Sequence, residues 1–412
     1  MFELLSEKKV MRDPIHEYIH IQYKVIWDSI DSPEFQRLRR IHQLGPTFQV
    51  YHTAEHSRFS HSLGVYEIVR RMVEEVEGAK EHLSEFERVA VMLAGLLHDL
   101  GHGPFSHAFE LLQNQHHEYY TEQILLGESK IHKILYDADV NLPKAVSDII
   151  AHRYANKLLT QMISGQLDAD RMDYLLRDAY FTGTSYGQFD LERILRTLRV
   201  ADERLVVKES GIHTVEDYIM ARYHMYWQVY YHPVSRSFEA VLTSFFRRMK
   251  DLYHKNPLTL TGYDMFTPFL RDETVRIEDY IAMDEPAFMY GMSLCKKHPD
   301  KILSDLARRL LTRDLFGYLD IENEKAVAEM KKKVDACGFD SEYYFTVDRA
   351  KQQPYQPYRG KESSMIWVML KDGRIRELSD VSVIVQAIVK GEDKSDRKMF
   401  FPKICMEMNH EQ

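Results

Sequence analysis

The amino-acid sequence predicts a mainly helical protein that ends in a small α+β lobe. Apolar residues recur at a helical spacing of about 3.6 residues up to about residue 335. Beyond residue 340, segments rich in β-forming residues replace that pattern. A chain of 412 residues also exceeds what one hydrophobic core usually supports. We therefore predict a helical domain with an N-terminal arm over residues 1–335 and an α+β lobe over residues 336–412.

Composition limits the functional class. The chain is 44% hydrophobic and 28% charged, with a formal net charge of -9, which is ordinary for a globular protein and disfavours nucleic acid as a partner. No apolar run is long enough to cross a bilayer, and the N-terminal segment carries charges where a signal peptide would be apolar. Only three cysteines occur, which fits a reducing compartment. We expect a cytoplasmic protein without membrane contact.

The β elements are predicted from alternation and turn residues. One hairpin is expected within the helical part over residues 199–207, with Asp202 and Glu203 in its turn. In the C-terminal lobe, strands are expected for Tyr343 to Val347, Met365 to Leu370 and Arg374 to Leu378. The turn Lys371-Asp372-Gly373 would join the last two strands. The segment from Gln352 to Gly360 is rich in Pro and Tyr and is predicted to be an exposed loop.

The stretch from Leu96 to His107 is the centre of the functional prediction. The apolar residues that recur at helical spacing before and within this stretch are Val89, Leu93, Leu96, Leu97 and Leu100. The helix they predict ends at Gly101, so His98 and Asp99 lie in its last turn. A neighbouring imidazole and carboxylate can bind a divalent metal ion, but two ligands are too few for a complete site. The alternative is a buried His-Asp pair that satisfies its own hydrogen bonds.

Candidates for the missing ligands lie on both sides of this stretch. His61 precedes the apolar face of a predicted helix and would point inward at the start of that helix. Asp170, Tyr174 and Asp178 are spaced i, i+4, i+8, so they share one helix face. With the His-Asp pair, His61 and Asp170 would form a 2-His-2-carboxylate site for manganese, iron, magnesium or zinc. Alternatively, Asp170 pairs with a neighbouring arginine on a solvated face.

The residues around these ligands resemble the H…HD…D signature of the HD phosphohydrolase superfamily. The matching segments are His56 to Val65, His98 to His107 and Asp168 to Tyr174. From about Lys9 to the C-terminal lobe, the chain is similar to the deoxynucleoside triphosphate (dNTP) triphosphohydrolases of this superfamily. The resemblance implies the helical HD-domain fold and a metal-dependent enzyme. Such an enzyme releases a deoxynucleoside and inorganic triphosphate after water attacks the α-phosphorus.

The resemblance also implies roles for histidines outside the metal ligands. His102 and His117 would be the acid/base imidazoles, because imidazole exchanges protons near neutral pH. Glu110 would orient the acid/base histidine, although the family carries an aspartate there, which is one methylene shorter. His116 is the alternative to His117, which is preferred because Glu118 follows it.

A substrate site is implied by the same segments. Arg58 would bind the phosphates, and Tyr174 would pack against the sugar C2′, where a ribose hydroxyl would clash. Gln43 and Leu44 would lie at the sugar 3′-hydroxyl. Further nucleotide contacts are implied for His107, Arg171, Asp178, Arg222 and Tyr230. A purely structural aromatic stripe is the alternative for Tyr223, Tyr226 and Trp227.

A second nucleotide site is suggested in the N-terminal arm. The similar segments of the family bind an activating guanine nucleotide between subunits and promote a homotetramer. The residues implied here are Lys9, Val10, Asp31, Gln36, Arg37, Arg39 and Arg313. Asp31 would accept the paired N–H donors of a guanine edge, so dGTP or GTP is the expected activator. Gly317 departs from a lysine of the family, and the alternative is an arm whose charges pair only locally.

Two other functions stay open at the level of sequence. One is an HD phosphohydrolase that acts on a nucleoside monophosphate, a cyclic dinucleotide or an alarmone. The other is a non-catalytic nucleotide sensor or single-stranded nucleic-acid binder that keeps the fold. Four intact metal ligands argue against a sensor, and the Gln43-Leu44 and Arg222 to Tyr230 segments favour a dNTP substrate.

Overall fold

The computed structural model describes residues 1–105, 107–110, 115–352, 365–391 and 394–407, and most of these residues are helical. The first helices are α1 Lys24–Ile30, α2 Pro33–Arg37, α3 Arg58–Glu75, α4 Ala79–His82, α5 Glu85–Leu97, α6 His107–Glu110, α7 His117–Leu126, α8 Lys130–Ala138, α9 Leu142–Ile150, α10 Lys157–Ser164, α11 Ala169–Thr182 and α12 Leu191–Thr197. The later helices are α13 Ile212–Met225, α14 Pro233–Lys255, α15 Thr267–Leu270, α16 Ile277–Ala282, α17 Glu285–Cys295, α18 Lys301–Thr312, α19 Glu324–Ala336, α20 Ser341–Tyr344, α21 Leu378–Val381, α22 Val383–Lys390 and α23 Ile404–Glu407.

In the described part of the chain, three small sheets accompany the helices. Their strands are β1 Leu4–Asp13, β2 Glu17–Tyr23, β3 Leu198–Ala201, β4 Arg204–Lys208, β5 Gly317–Asp320, β6 Thr346–Gln352, β7 Trp367–Met369, β8 Ile375–Glu377 and β9 Lys394–Phe401. The prediction of a mainly helical protein is confirmed. Among the described residues, no helix combines the length and hydrophobicity needed to cross a membrane.

The larger hydrophobic core forms around α3, α5 and α11, the helices that carry the predicted metal ligands. Helix α5 begins with a capping box, in which the Ser84 hydroxyl and the Glu87 side chain each accept from the other residue's backbone N–H. Its residues are then buried from Val89 through Leu97. Helices α3 and α5 approach closely at Gly95, where a Cβ would lie 2.9 Å from Val69 Cγ2. This close packing fixes the two helices relative to each other.

A second core forms around α14, α17 and α18 and is rich in aromatic rings. The Phe288 ring lies 5.3 Å from that of Phe246 and 5.4 Å from that of Phe266, both at steep angles. Phe105 and Phe109, which follow the His98-Asp99 pair, belong to this core. Leu97 and Leu100 belong to the larger core, so the two cores meet close to the His98-Asp99 pair.

The cores do not divide at residue 335, where the sequence predicted a boundary. Strand β7 pairs in parallel with β4, and β8 then extends the hairpin into a four-stranded sheet of order β3-β4-β7-β8. Ile366 and Val368 consequently belong to the larger core. Strand β5, from before the predicted boundary, pairs with β9 in the sheet β5-β9-β6. The C-terminal segment thus contributes two strands to each of these two sheets.

Both predicted hairpins are confirmed, with Asp202 and Glu203 at positive φ in the first turn. The predicted strand from Tyr343 is wrong at its start. Helix α20 covers Ser341–Tyr344 because Asp340 caps it, its carboxylate accepting from the Glu342 N–H at 3.0 Å. Strand β6 begins only at Thr346. The predicted loop lies, beyond Gln352, outside the described residues.

The sequence prediction missed the N-terminal hairpin of β1 and β2. These strands pair from Leu4 opposite Tyr23 to Asp13 opposite Glu17, with a register shift between Leu4 and Lys9. The Asp13 carboxylate closes the turn by accepting from the backbone N–H of Ile15 and His16 at 2.9 and 3.1 Å. Because β1 is largely exposed, its sequence lacks the alternation that identifies a half-buried strand.

Candidate active site and metal centre

The four predicted metal ligands converge from three helices. His61 lies in the first turn of α3, His98 and Asp99 follow the end of α5, and Asp170 opens α11. His61 Nε2 is 3.1 Å from Asp170 Oδ1 and 3.8 Å from Asp99 Oδ2. His98 Nε2 is 3.4 Å from Asp99 Oδ1 and 3.7 Å from Asp170 Oδ1. The ligand atoms of His61, His98 and Asp99 all lie within 4.8 Å of one another, and Asp170 lies beside both imidazoles.

The chemistry of these donors fits a divalent cation. His98 Nδ1 lies 2.9 Å from the Gly95 carbonyl and donates to it, which leaves the lone pair of Nε2 facing carboxylates. This Nε2 is buried and has no hydrogen-bond partner among the described residues. Burial lowers the pKa of His61, but the hydrogen bonds that its ring donates to Asp170 and Asp173 outweigh burial and raise that pKa to about 10. The site thus attracts positive charge. A divalent ion here would bind imidazole nitrogens and carboxylate oxygens of these four side chains.

Arg58 adds a fixed positive charge beside the metal ligands. Its guanidinium Nη1 donates to Asp99 Oδ2, and both side chains are buried. Although burial alone would raise the pKa of Asp99, Arg58 and the neighbouring histidines hold it well below its ordinary value. Asp99 is therefore ionised, as a metal ligand must be.

The two predicted acid/base histidines stack on each other. The His102 and His117 ring centroids are 3.8 Å apart, with an interplanar angle of 16°. His102 Nε2 lies 3.2 Å from Asp99 Oδ1, and His117 Nδ1 lies 2.5 Å from Glu110 Oε1. Burial, then Arg58, lowers the pKa of His102 well below its usual value, so this imidazole is neutral at neutral pH.

Glu110 reaches both candidate histidines, but only one of them faces the site. His116 also contacts Glu110, at 3.1 Å, yet 81% of its side chain is exposed. The His117 side chain is 21% exposed and lies against His102. The geometry thus favours His117 as the acid/base residue. The side chain of His107 lies outside the described part of the chain.

A cavity of about 510 Å³ opens beside these groups. Six predicted substrate residues line it, namely Gln43, Leu44, Arg58, Tyr174, Asp178 and Tyr230. Tyr230 donates to Asp178 Oδ2 at 2.8 Å, and His56 Nε2 lies 2.7 Å from Asp178 Oδ1. Gln43 Oε1 is buried without a hydrogen-bond partner among the described residues, so it can still accept from a ligand.

The aromatic segment after α13 is not a continuous α-helical face. Residues Tyr226–Tyr230 form a π-helical turn, which rotates Tyr230 relative to the i, i+4, i+8 spacing predicted from Arg222. Tyr226 and Tyr230 both reach the cavity, and the Tyr174 and Tyr230 rings lie 6.0 Å apart at 79°. Arg222 donates to Gln166 Oε1 at 3.0 Å, while its buried Nε has no hydrogen-bond partner in the described part of the chain.

Arg171 does not line this cavity. Its guanidinium Nη1 donates to Asp168 Oδ2 at 2.5 Å and to the Gly165 carbonyl. The sequence prediction that Arg171 contacts the substrate therefore has no geometric support here. The local reason is that Asp168 is the N-cap of α11. Its carboxylate therefore lies one turn from Arg171 and accepts a hydrogen bond from the Arg171 guanidinium.

The far wall of the cavity contains residues that the sequence did not indicate. Arg236 of α14 donates from Nε to Asp348 Oδ2 at 2.6 Å and from Nη1 to Asp396 Oδ2 at 2.5 Å. Its Nη2 is buried and has no hydrogen-bond partner among the described residues. Asp348, Arg349 and Ala350 of β6 complete this wall. No sequence signal could identify it, because it joins segments more than a hundred residues apart.

The predicted regulatory residues lie at several places on the surface. Asp31 ends α1, and Gln36 links this end to Arg39 by donating to the Ile30 carbonyl and accepting from Arg39 Nε, both at 2.8 Å. Lys9 and Val10 lie on β1, and Arg313 donates to the Gln49 carbonyl at 2.8 Å.

Arg37 is the exception among these residues. It is 1% exposed and donates to the backbone carbonyls of His102, Ile281 and Met283 at 2.8 to 2.9 Å. A guanidinium held in this way cannot reach a nucleotide at the surface. The structure therefore gives Arg37 a structural role in place of the predicted regulatory contact.

Two histidines and two carboxylates cluster in this helical fold, beside a cavity that arginines line. This combination defines a metal-dependent phosphohydrolase. Residues 58–178 match the family model of the HD domain, and residues 189–399 match that of the HD associated region. The uncharacterized protein YwfO of Bacillus subtilis is 46% identical over 98% of this chain and 95% of its own length. The chain belongs to the HD-domain family.

More distant relatives point in the same direction. A SAMHD1 homolog of Dictyostelium discoideum, named as a deoxynucleoside triphosphate triphosphohydrolase, is 33% identical over 58% of this chain and 49% of its own length. The chain thus spans about half of that protein. A phosphohydrolase from Bacteroides thetaiotaomicron superposes with a TM-score of 0.84 at 28% identity, covering 96% of this chain and 100% of the other.

Proposed function

We propose that the protein hydrolyses deoxynucleoside triphosphates to a deoxynucleoside and inorganic triphosphate. The observation that carries this proposal is the cavity lined by Gln43, Leu44, Tyr174, Asp178 and Tyr230. Arg58 also lines this cavity and contacts the predicted metal ligand Asp99. These side chains are suited to a sugar, since they offer a carboxylate, an amide and two aromatic rings. A cavity of about 510 Å³ lies within the range of small-molecule sites and can admit a nucleotide.

The divalent ion would be held by His61, His98, Asp99 and Asp170, and when bound it supplies charge that activates water and offsets the α-phosphate. The metal ion would be manganese, iron, magnesium or zinc. Arg58, which lines the cavity, would bind the phosphate oxygens.

His102 and His117 would act as the general base and the general acid of the reaction. Water forms a bond to the α-phosphorus while the bond from that phosphorus to the sugar O5′ breaks. Neutral His102 accepts a proton from water, and His117, whose ring Glu110 orients through Nδ1, donates a proton to O5′. The two stacked rings, 3.8 Å apart, allow one proton to be taken and another given within one site.

Deoxyribose selection would follow from Tyr174. Its ring lies 6.0 Å from that of Tyr230 and forms part of the cavity wall, so it can exclude a 2′-hydroxyl by steric conflict.

We further propose activation by dGTP or GTP at the surface around Asp31, Gln36 and Arg39, between subunits of a homotetramer. Asp31 would recognise the guanine edge, while Arg39, Lys9 and Arg313 would contact phosphates. The Asp31→Ala variant should lose this activation but retain bound metal. Sedimentation should show more wild-type tetramer when either nucleotide is added. Unchanged assembly, with full activation of the variant, would contradict this part of the proposal.

The decisive experiment on substrate is an incubation of purified protein with each dNTP under several divalent metals, with and without dGTP or GTP. Ribonucleoside triphosphates, a nucleoside monophosphate and a cyclic dinucleotide serve as competing substrates. Anion-exchange chromatography identifies the phosphate product. Hydrolysis of only the monophosphate or the cyclic dinucleotide would favour the other HD phosphohydrolase activities, and absence of turnover with metal bound would favour a sensor.

A further inference from the structure

A buried carboxylate behind the metal centre connects it to the N-terminal hairpin. Asp173 of α11 has no exposed surface. It accepts from both Nε and Nη2 of Arg177, at 2.8 and 2.9 Å. His61 Nδ1 lies 2.8 Å from Asp173 Oδ2, and His16 Nε2 lies 2.6 Å from Asp173 Oδ1. One carboxylate therefore receives four hydrogen bonds, one of them from a metal ligand and one from the hairpin turn.

The contact with His61 determines how that imidazole presents itself. When Nδ1 carries the proton donated to Asp173, the other nitrogen, Nε2, keeps its lone pair, and Nε2 is the atom that faces Asp170 and Asp99. Helix α3 admits the carboxylate because residue 64 is glycine, where a Cβ would overlap Asp173 and Arg177. The ring of His61 is thus fixed through Asp173.

The hairpin turn holds the other side of this network. Arg177 donates to the Asp13 carboxylate at 2.8 and 3.2 Å, and Asp13 in turn accepts from the N–H groups of Ile15 and His16. The side chains of His16, Asp173 and Arg177 are each at most 2% exposed. The turn also lines a cavity of about 720 Å³, whose other walls include α3 and α11. The polar contacts to α11 therefore contribute strongly to the position of the turn.

We propose that Asp13 and His16 of the N-terminal hairpin are positioning residues for the metal centre. They hold Asp173, which sets the orientation of His61, so the position of the hairpin and the affinity for metal are coupled. The proposal depends on metal binding by the HD domain and not on the dNTP substrate. Coupling of this kind is reciprocal, so metal binding must also stabilise the hairpin.

The first test measures metal affinity alone. Mn²⁺ titrations, followed by calorimetry and by the electron paramagnetic resonance of free Mn²⁺, compare wild type with His16→Ala. We expect the Kd to rise about 10-fold, the lower end of what loss of an outer-shell partner produces. His20→Ala is the matched control, because His20 lies on the same hairpin but contacts Glu67, away from the metal ligands. That control should bind Mn²⁺ as wild type does.

The second test needs no variant. Hydrogen exchange of the backbone N–H groups of residues 10–20 is measured in the wild-type protein with and without Mn²⁺, and Mn²⁺ should slow it. If Asp13 and His16 served only folding stability, Mn²⁺ would not change this exchange once any change in global stability is allowed for. If His16→Ala fails to fold, the wild-type exchange result decides. Unchanged exchange, or a folded His16→Ala variant with wild-type Mn²⁺ affinity, would overturn the proposal.

Discussion

Replacement of Arg37 by methionine tests how the two cores are joined at the active site. The buried guanidinium donates to the carbonyls of His102, Ile281 and Met283, so it ties the segment after the metal ligands to the end of α16. Burial lowers the pKa of Arg37, which reflects the desolvation of its charge. Methionine has a similar length but no donor, so the variant leaves two buried carbonyls and one partly buried carbonyl unpaired.

The expected loss follows from those three hydrogen bonds. An unpaired buried carbonyl costs about 1 to 3 kcal/mol. Removal of the buried charge offsets part of the sum, since its desolvation is no longer required. We therefore expect the free energy of unfolding to fall by about 3 to 5 kcal/mol. Turnover should fall as well, because His102 loses the anchor of its backbone.

Urea unfolding, followed by circular dichroism and tryptophan fluorescence, measures this loss. Arg40→Met is the matched control, because Arg40 is half exposed and pairs with Asp284 at the surface. A surface pair contributes about 1 kcal/mol or less, so this variant should unfold nearly as wild type does. An Arg37→Met protein that loses less than about 1 kcal/mol would refute the structural role given to this residue.

Three further predictions concern the metal, the sugar and pH. Asp170→Asn should lose at least about 10-fold in metal affinity and all measurable turnover, as mass spectrometry of bound metal and product assays would show; normal metal content with normal activity would remove Asp170 from the ligand set. Tyr174→Ala should admit ribonucleoside triphosphates, and a folded, active variant that still rejects them would place the sugar selection elsewhere. His42 has its pKa raised to about 9, since Glu285 and Glu55 outweigh burial. Its contribution to stability should be complete below about pH 6.5 and lost as pH rises through about 9, so unfolding of wild type, but not of His42→Gln, should become easier over that interval.

The predicted metal ligands could be proposed from the sequence because local spacing indicates each of them. His98 and Asp99 are adjacent at the end of an apolar helix, and Asp170 shares a helix face with Tyr174 and Asp178. Each pattern spans only a few residues, within the reach of helical periodicity. Convergence of the three helices was implied by the family resemblance and is present in the structure.

The wall formed by Arg236 and the boundary between the cores were not accessible in this way. Strand β7 pairs in parallel with β4, which lies about 160 residues earlier, and no local pattern specifies such a partner. Arg236 meets Asp348 and Asp396 only because β6 and β9 pair beside α14. Local chemistry also overrode strand propensity at Tyr343, where the Asp340 cap favours a helical turn.

The hydrogen-bond network of Asp13, His16, Arg177 and Asp173 was missed for a related reason. Asp173 and His16 are 157 residues apart, and the hairpin that brings them together is exposed along β1. A histidine in a charged N-terminal segment has no periodic neighbour that would indicate burial. Only the packed structure shows that it touches the carboxylate behind a metal ligand.

Hydrolysis of a dNTP in ¹⁸O-labelled water tests the central claim most directly. Mass spectrometry of the separated products locates the oxygen that water supplies. Attack at the α-phosphorus with cleavage of its bond to O5′ predicts inorganic triphosphate that carries one ¹⁸O atom and an unlabelled deoxynucleoside. A deoxynucleoside monophosphate with pyrophosphate, or label in the deoxynucleoside, would contradict the proposed triphosphohydrolase.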